Sequence, residues 1–193
     1  MSKVIKIDDP EIYEQAADVI RDGGIIIYPT DTLYGFGVDA RNNAAVEQLF
    51  AIKGRAGPWS IAVSNMEMLE RYALVSKIDR SKVENYLPGP VTLILPFSDS
   101  DISSSIISER QTIGIRIPDY SFPRSLIEKL GFPITSTSVN RTGTPALNDP
   151  REIKSEFDDE YNLLIDAGVL PTSKGSTIID LSGKTIQIVR GRR

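Results

Sequence analysis

Apolar positions in this chain fall into two kinds of segment that alternate along it. Short β-branched runs read as strands: Ile25–Tyr28, Ser60–Val63, Val91–Phe97, Thr112–Pro118, the segment from Ile134, Leu163–Asp166, Ser176–Asp180 and Thr185–Val189. Between them lie stretches of helical period with capping residues. Asp9-Pro10-Glu11 opens a helix with Ile12, Ala16, Val19 and Ile20 on one face, and Gly23-Gly24 closes it. Asn42-Asn43 caps a second helix (Val46, Leu49, Phe50) that runs out at Lys53-Gly54-Arg55. Asn65 and Ser76 cap two further helices, the second broken by Leu87–Pro90. Pro123–Leu130 and the segment from Asp149-Pro150 to Phe157 complete the set. Pro96 inside its strand pattern predicts an edge position, and serine-rich Ser98–Ile107 reads as a mobile loop. Ser182-Gly183 joins the last two strands as a hairpin. With no repeat, low-complexity tract or linker, the expectation is one mixed α/β domain over residues 1–193.

One stretch organises the rest. Ile25–Tyr28 is apolar enough for a strand buried on both faces, and Pro29 should end it. Thr30-Asp31-Thr32 then forms a polar turn, followed by Tyr34, Gly35, Phe36 and Gly37. Hydroxyls, a carboxylate and two glycines are thus delivered at the end of a rigid strand, where open α/β sheets place ligands. The plain alternative is a strand–turn–strand whose polar groups only satisfy backbone.

Composition narrows the chemistry. The 22 basic and 26 acidic side chains give a net charge of −4, which argues against a constitutive nucleic-acid coat. There is no cysteine and no histidine. Thiol catalysis, serine–histidine catalysis and His- or Cys-ligated metals are therefore excluded, and any metal must be a hard, oxygen-ligated ion such as Mg²⁺. The N-terminus carries no long apolar segment, so neither signal peptide nor membrane span is expected, and the expected compartment is the cytoplasm.

The polar positions that remain share a pattern. Thr32, Arg116, Ser138, Asn140, Ser176 and Arg190 fall at or near predicted strand ends, and Lys53 and Arg55 at a helix end. Lys53-Gly54-Arg55 answers a helix dipole or clamps a phosphate. Arg116, in an apolar run, needs an anionic partner, either an internal carboxylate or a substrate carboxylate held bidentately. Thr135–Ser138 with Asn140 offer a dense set of neutral donors and acceptors at a strand end. Asp31 is a candidate metal ligand or a turn cap. No nucleophile–base pair exists among these residues, so the set suits binding and positioning of anions. Phosphoryl or nucleotidyl transfer asks least of side-chain acid–base chemistry.

Taken in order, Tyr28–Gly35, Lys53–Arg55, Pro88–Leu93, Ile115–Pro118, Ser136–Asn140 and Ser176–Asp180 resemble the motifs of the YrdC-like family, the threonylcarbamoyl-AMP synthases of tRNA modification. The resemblance covers nearly the whole chain and is closest to the short, single-domain branch. It implies a twisted open mixed sheet with flanking helices around a positively charged cavity. It implies that L-threonine, bicarbonate and ATP give threonylcarbamoyl-AMP and pyrophosphate, with Mg²⁺ accompanying the ATP. The product would pass to a tRNA-modifying threonylcarbamoyl transferase complex, and a tRNA or double-stranded RNA contact is among the implied partners. By resemblance, Lys53, Arg55, Ser138 and Asn140 hold the nucleotide phosphates and magnesium, Lys53 and Arg55 being the catalytic pair. Arg190 and Thr112 lie around the nucleotide. Thr32, Arg116, Ser136 and Ser176 hold threonine, with Arg116 on its carboxylate.

This chain departs from the family pattern in two places. The family commonly has proline directly after the arginine, whereas here Ala56-Gly57-Pro58-Trp59 follows, implying a differently shaped loop. A family histidine that helps position threonine falls at Ser64. Two other readings compete: an RNA-binding relative without synthase activity, and the carbamoyl-adenylate chemistry of a related hydrogenase-maturation domain. Retention of all four of Lys53, Arg55, Ser138 and Asn140 favours the synthase over the first, and the missing accessory domains disfavour the second.

Overall fold

Ile25, Ile26, Ile27 and Tyr28 have no exposed surface, as a run covered on both sheet faces requires. The computed structural model describes residues 2–54, 57–78, 80–98 and 100–191. Within them the strands are β1 (Lys3–Lys6), β2 (Ile26–Pro29), β3 (Tyr34–Gly37), β4 (Ser60–Ala62), β5 (Val91–Pro96), β6 (Thr112–Arg116), β7 (Ile134–Ser138), β8 (Leu163–Asp166), β9 (Thr177–Asp180) and β10 (Gln187–Arg190). The helices are α1 (Ile12–Arg21), α2 (Asn43–Lys53), α3 (Met66–Tyr72), α4 (Arg80–Glu84), α5 (Ser121–Leu130) and α6 (Pro150–Phe157). The strands form one open sheet of order β1-β8-β2-β3-β7-β4-β6-β5-β9-β10. Among the described residues no helix is long and apolar enough to cross a membrane.

The sheet is mixed. The β1–β8, β8–β2, β4–β6 and β5–β9 pairs are parallel; β2–β3, β3–β7, β7–β4, β6–β5 and β9–β10 are antiparallel. Helices α1 and α5 pack on each other and against β2, with Tyr13 stacked on Phe122 at 5.4 Å. The buried Ile12, Ala16, Ala17 and Ile20 of α1 form the face expected from its periodicity. Each buried Ile contributes roughly 1.5–3 kcal/mol.

Several expectations are corrected. The first helix starts at Ile12, because Asp9 caps the Glu11 N–H (2.9 Å) in a separate turn. The Ser76 segment is a 3₁₀ turn, Val75–Lys77, followed by the short α4. β5 is an interior strand despite Pro96. Its pairing with β9 ends at Ile94, so the position lacking an N–H faces no ladder, while the Pro96 carbonyl accepts from Leu74 N (2.9 Å). The Ser98–Ile107 segment is tied down. Ile102 and Ile106 are buried in the core, Ser104–Ile106 forms a 3₁₀ turn, and Ser103 N–H donates to the Ala40 carbonyl at 3.0 Å.

Candidate active site

Pro29 ends β2, and the chain reverses over Thr30–Leu33 before β3 returns antiparallel. Thr30 Oγ1 accepts from the N–H groups of Thr32 (3.1 Å) and Leu33 (3.2 Å) and donates to the Leu33 carbonyl (2.8 Å), closing the turn on itself. The Asp31 and Thr32 side chains of the turn reach Arg116, the last residue of β6. Arg116 Nη1 donates to Thr32 Oγ1 at 3.2 Å, and Nη2 donates to the Asp31 carboxylate. Asp31 Oδ2 also accepts the Asp119 N–H at 3.1 Å. Of the two alternatives open for Arg116, the internal carboxylate is therefore present. Its Nε is buried without a hydrogen-bond partner.

β7 forms the floor. It is held between β3 (Gly35↔Ser138) and β4 (Ser60↔Ser136), which leaves hydroxyls at its C-terminal end. Tyr28 supports it from below: its hydroxyl donates to the Thr135 carbonyl at 3.1 Å, and complete burial pushes its pKa up to about 12. Gly37 makes room for that ring, since a Cβ there would lie 2.8 Å from Tyr28 Cε1. Past β7, Asn140 Oδ1 accepts from Ser138 Oγ (2.7 Å) and from Lys53 Nζ (2.7 Å), and Lys53 also donates to the Ser138 carbonyl (2.6 Å). Lys53 is 3% exposed, so these bonds draw its charge out of water and onto the Ser138 carbonyl and the Asn140 amide oxygen. The α2 C-terminus is fixed to the same segment, because the Lys53 carbonyl accepts from Thr142 N (3.0 Å) and Oγ1 (2.8 Å).

The far wall comes from β5, β9 and β10. Buried Thr92 and Ser176 share a hydrogen bond at 2.8 Å. Arg190 donates from Nε (3.2 Å) and Nη2 (3.0 Å) to the Ser176 carbonyl. The residue as a whole is exposed but its guanidinium end turns inward, and desolvation followed by the Arg116 charge pulls its pKa below the ordinary value.

These walls enclose a cavity of about 490 Å³, a size usual for small-molecule sites. Thr32, Arg116, Ser136, Ser138, Asn140, Ser176 and Arg190 all line it, with Lys53 held immediately behind Asn140. Thr112 does not line it. It sits at the opposite end of β6, about 13 Å of strand from Arg116, and its hydroxyl pairs with Ser108 at 2.6 Å. Arg55 lies outside the described residues. Ser64 is buried with its hydroxyl toward Met68 Sδ (3.9 Å), away from the lining. The sequence reading missed Thr92, Trp59 and Lys174 as lining residues. Thr92 lies within the Pro88–Leu93 motif and Trp59 in the loop that follows Arg55, each of which was a signal; Lys174 carried none. A second, more open groove of about 640 Å³ lies between Phe50 and Ser104–Arg110 and holds none of the expected site residues.

The arrangement can bind a multiply charged anion. Arg116, Lys174 and Arg190 line the cavity, and no carboxylate lines it among the described residues. Nor, among them, do three Asp, Glu, His or Cys side chains converge on a metal site.

Known proteins share this architecture. The family described as "Telomere recombination", named for Sua5, YciO and YrdC, matches residues 18–191. YciO of Escherichia coli K12, itself named an uncharacterized protein, is 31% identical over 95% of this chain and 91% of its own length. Its crystal structure superposes with a TM-score of 0.89 over 98% of this chain and 95% of that one. The protein named putative threonylcarbamoyl-AMP synthase in Methanocaldococcus jannaschii is 34% identical over 98% of this chain and 92% of its own length. The threonylcarbamoyl-AMP synthase of Pyrococcus abyssi is 32% identical over 86% of this chain but only 50% of itself, so this chain spans half of that longer protein. The crystal structure of P. abyssi Sua5 complexed with L-threonine gives a TM-score of 0.87 at 28% identity, over 98% of this chain and 57% of that one. With a family match running from α1 to the end of β10, and the same open sheet in its solved relatives, the chain belongs to the Sua5–YciO–YrdC family.

Proposed function

We propose that the chain is an L-threonylcarbamoyladenylate synthase, a nucleotidyltransferase that converts L-threonine, bicarbonate and ATP into threonylcarbamoyl-AMP and pyrophosphate. The observation that carries this reading is the joining of two subsites in one cavity. Arg116 with Thr32 is suited to an amino-acid carboxylate, and Lys53 on Ser138 and Asn140 is suited to phosphate. That P. abyssi Sua5 was solved with L-threonine supports the first assignment.

The chemistry fits a chain without histidine. Threonine's amine and bicarbonate condense to a carbamate with loss of water. A carbamate oxygen attacks the α-phosphorus, and the bond to the bridging oxygen breaks to release pyrophosphate. The nucleophile is already an anion, so no base is needed at that step. The protein's task is to hold two anions against their repulsion, which Arg116 and Lys53 do here and Arg55 would share. Magnesium would arrive with ATP and neutralise phosphate charge. Both Asp31 oxygens are engaged, and so is the Asn140 amide oxygen, which leaves the neutral Ser138 hydroxyl oxygen to reach the ion beside the phosphates' own oxygens. The product would be consumed by a tRNA-modifying threonylcarbamoyl transferase complex, and we propose that the enzyme works beside it in the cytoplasm.

Pyrophosphate release from Mg-ATP, with and without L-threonine and bicarbonate, tests this. Release should require both co-substrates and fall by about 100-fold or more in Lys53→Ala. Release indifferent to threonine would overturn the proposal.

A further inference from the structure

We infer that Lys174 is an anion contact of this cavity that takes the terminal phosphates of the nucleotide and, after reaction, the pyrophosphate; the inference rests on the synthase reading. Three cationic side chains line the cavity, and two of them already have protein partners. Arg116 is held by Asp31 and Thr32, and Arg190 by the Ser176 carbonyl. Lys174 has no carboxylate partner among the described residues. Asp31 balances Arg116, so the charges left at this cavity of about 490 Å³ are those of Lys174 and Arg190, which, with no lining carboxylate among the described residues, repel one another until a polyanion enters.

The lysine is presented from a built turn. The Gly175 N–H donates to Ser173 Oγ at 3.1 Å. Gly175 has φ +79°, and a Cβ there would lie 3.2 Å from Leu33 Cδ1 and 3.3 Å from Arg190 Nη2. The turn is therefore packed against both the β2–β3 turn and Arg190, which sets Lys174 at the lip of the same wall.

Depth assigns the ligand group. Thr32, Arg116 and Ser176 are 5–8% exposed and lie deep in the cavity, whereas Lys174 is exposed. If the amino acid occupies the deep end, the α-phosphate must meet it there. The β- and γ-phosphates then extend outward, and the group that departs is the one nearest the mouth. A lysine suits that place, since its compact hydrated charge binds phosphate without the fixed fork by which arginine holds its partners.

Calorimetry on the full chain with ATP, pyrophosphate, AMP and L-threonine tests the assignment in wild type, Lys174→Gln and Lys174→Arg. Lys174→Gln should weaken pyrophosphate binding about tenfold, leave AMP and L-threonine within about twofold, and be rescued by Lys174→Arg. Pyrophosphate bound equally by wild type and Lys174→Gln would overturn the role of Lys174 and leave the synthase reading standing. An equal loss for AMP would overturn the assignment to terminal phosphates. A wild type that binds neither ATP nor pyrophosphate would sink both readings together.

Discussion

Asp31 and Arg116, 85 residues apart in sequence, form an ion pair buried beneath the candidate site, with side chains 10% and 6% exposed. The pair fixes the guanidinium before any ligand arrives, since Asp31 is itself held by the Asp119 N–H and Arg116 by Thr32. Removing one partner strands a buried charge. Asp31→Ala should therefore cost about 3–5 kcal/mol in urea unfolding. The double replacement Asp31→Leu with Arg116→Met should recover much of that loss while abolishing L-threonine binding. If the single variant unfolds at the wild-type urea concentration, the pair does not hold the turn to β6.

The glycines of β3 carry a separate prediction. A methyl group at Gly37 would sit 2.8 Å from Tyr28 Cε1 and 3.1 Å from Ile26 Cγ1, both fully buried, so neither can move aside cheaply. Gly37→Ala should cost about 1–3 kcal/mol. It should also disturb β7, because Tyr28 can then no longer reach the Thr135 carbonyl. Thermal unfolding beside Gly183→Ala, where the nearest atom to an added Cβ is 4.0 Å away, would show whether crowding rather than loss of glycine is responsible.

How far such features were legible in sequence depended on whether their cause was local. The Ile25–Tyr28 run, the Asn42, Asn65 and Asp149 caps, and the Ser182-Gly183 reversal were readable because each is decided within a few residues. β3 was legible only through the strand–turn–strand alternative, since Tyr-Gly-Phe-Gly looks like a loop until Tyr28 is seen lying over the glycines. β1 was hidden because only Ile5 of its four residues is buried. Thr112 was placed around the nucleotide and Arg116 on the threonine carboxylate; they lie about 13 Å apart along β6, and Arg116 lines the cavity whereas Thr112 does not. The Asp31 partnership was not legible, because nothing in a sequence says which strand end will lie beside which turn.

Two tyrosines near the site predict an alkaline transition. Burial raises Tyr28 and Tyr34 to about 12 from the ordinary 10.0, with hydrogen bonds to the Thr135 carbonyl (3.1 Å) and the Gly168 carbonyl (2.8 Å). A folded-state pKa above the unfolded value means the native protein holds the proton more tightly. The contribution is complete below pH 10 and is lost as pH rises through about 12. Unfolding free energy should therefore fall across that interval and less steeply in Tyr28→Phe. Identical pH profiles for the variant and the wild type would show that Tyr28 titrates normally.

Asn140 is saturated: its amide oxygen accepts from Lys53 and Ser138, and its nitrogen donates to the carbonyls of Arg141 (2.9 Å) and Thr144 (2.8 Å). Asn140→Ala should cost about 1–3 kcal/mol through the groups left unpaired, and should weaken ATP more than L-threonine because it loosens Lys53. Asn140→Asp discriminates further. It places a carboxylate against Lys53, neutralising the charge the phosphate needs and setting an anion in its path. ATP affinity should then fall below that of Asn140→Ala, although the lysine is held at least as firmly. Calorimetric titration of both variants with ATP decides the matter. If the aspartate variant binds ATP as well as the alanine variant, Lys53 acts by shaping the α2 terminus, and its charge is not what the nucleotide meets.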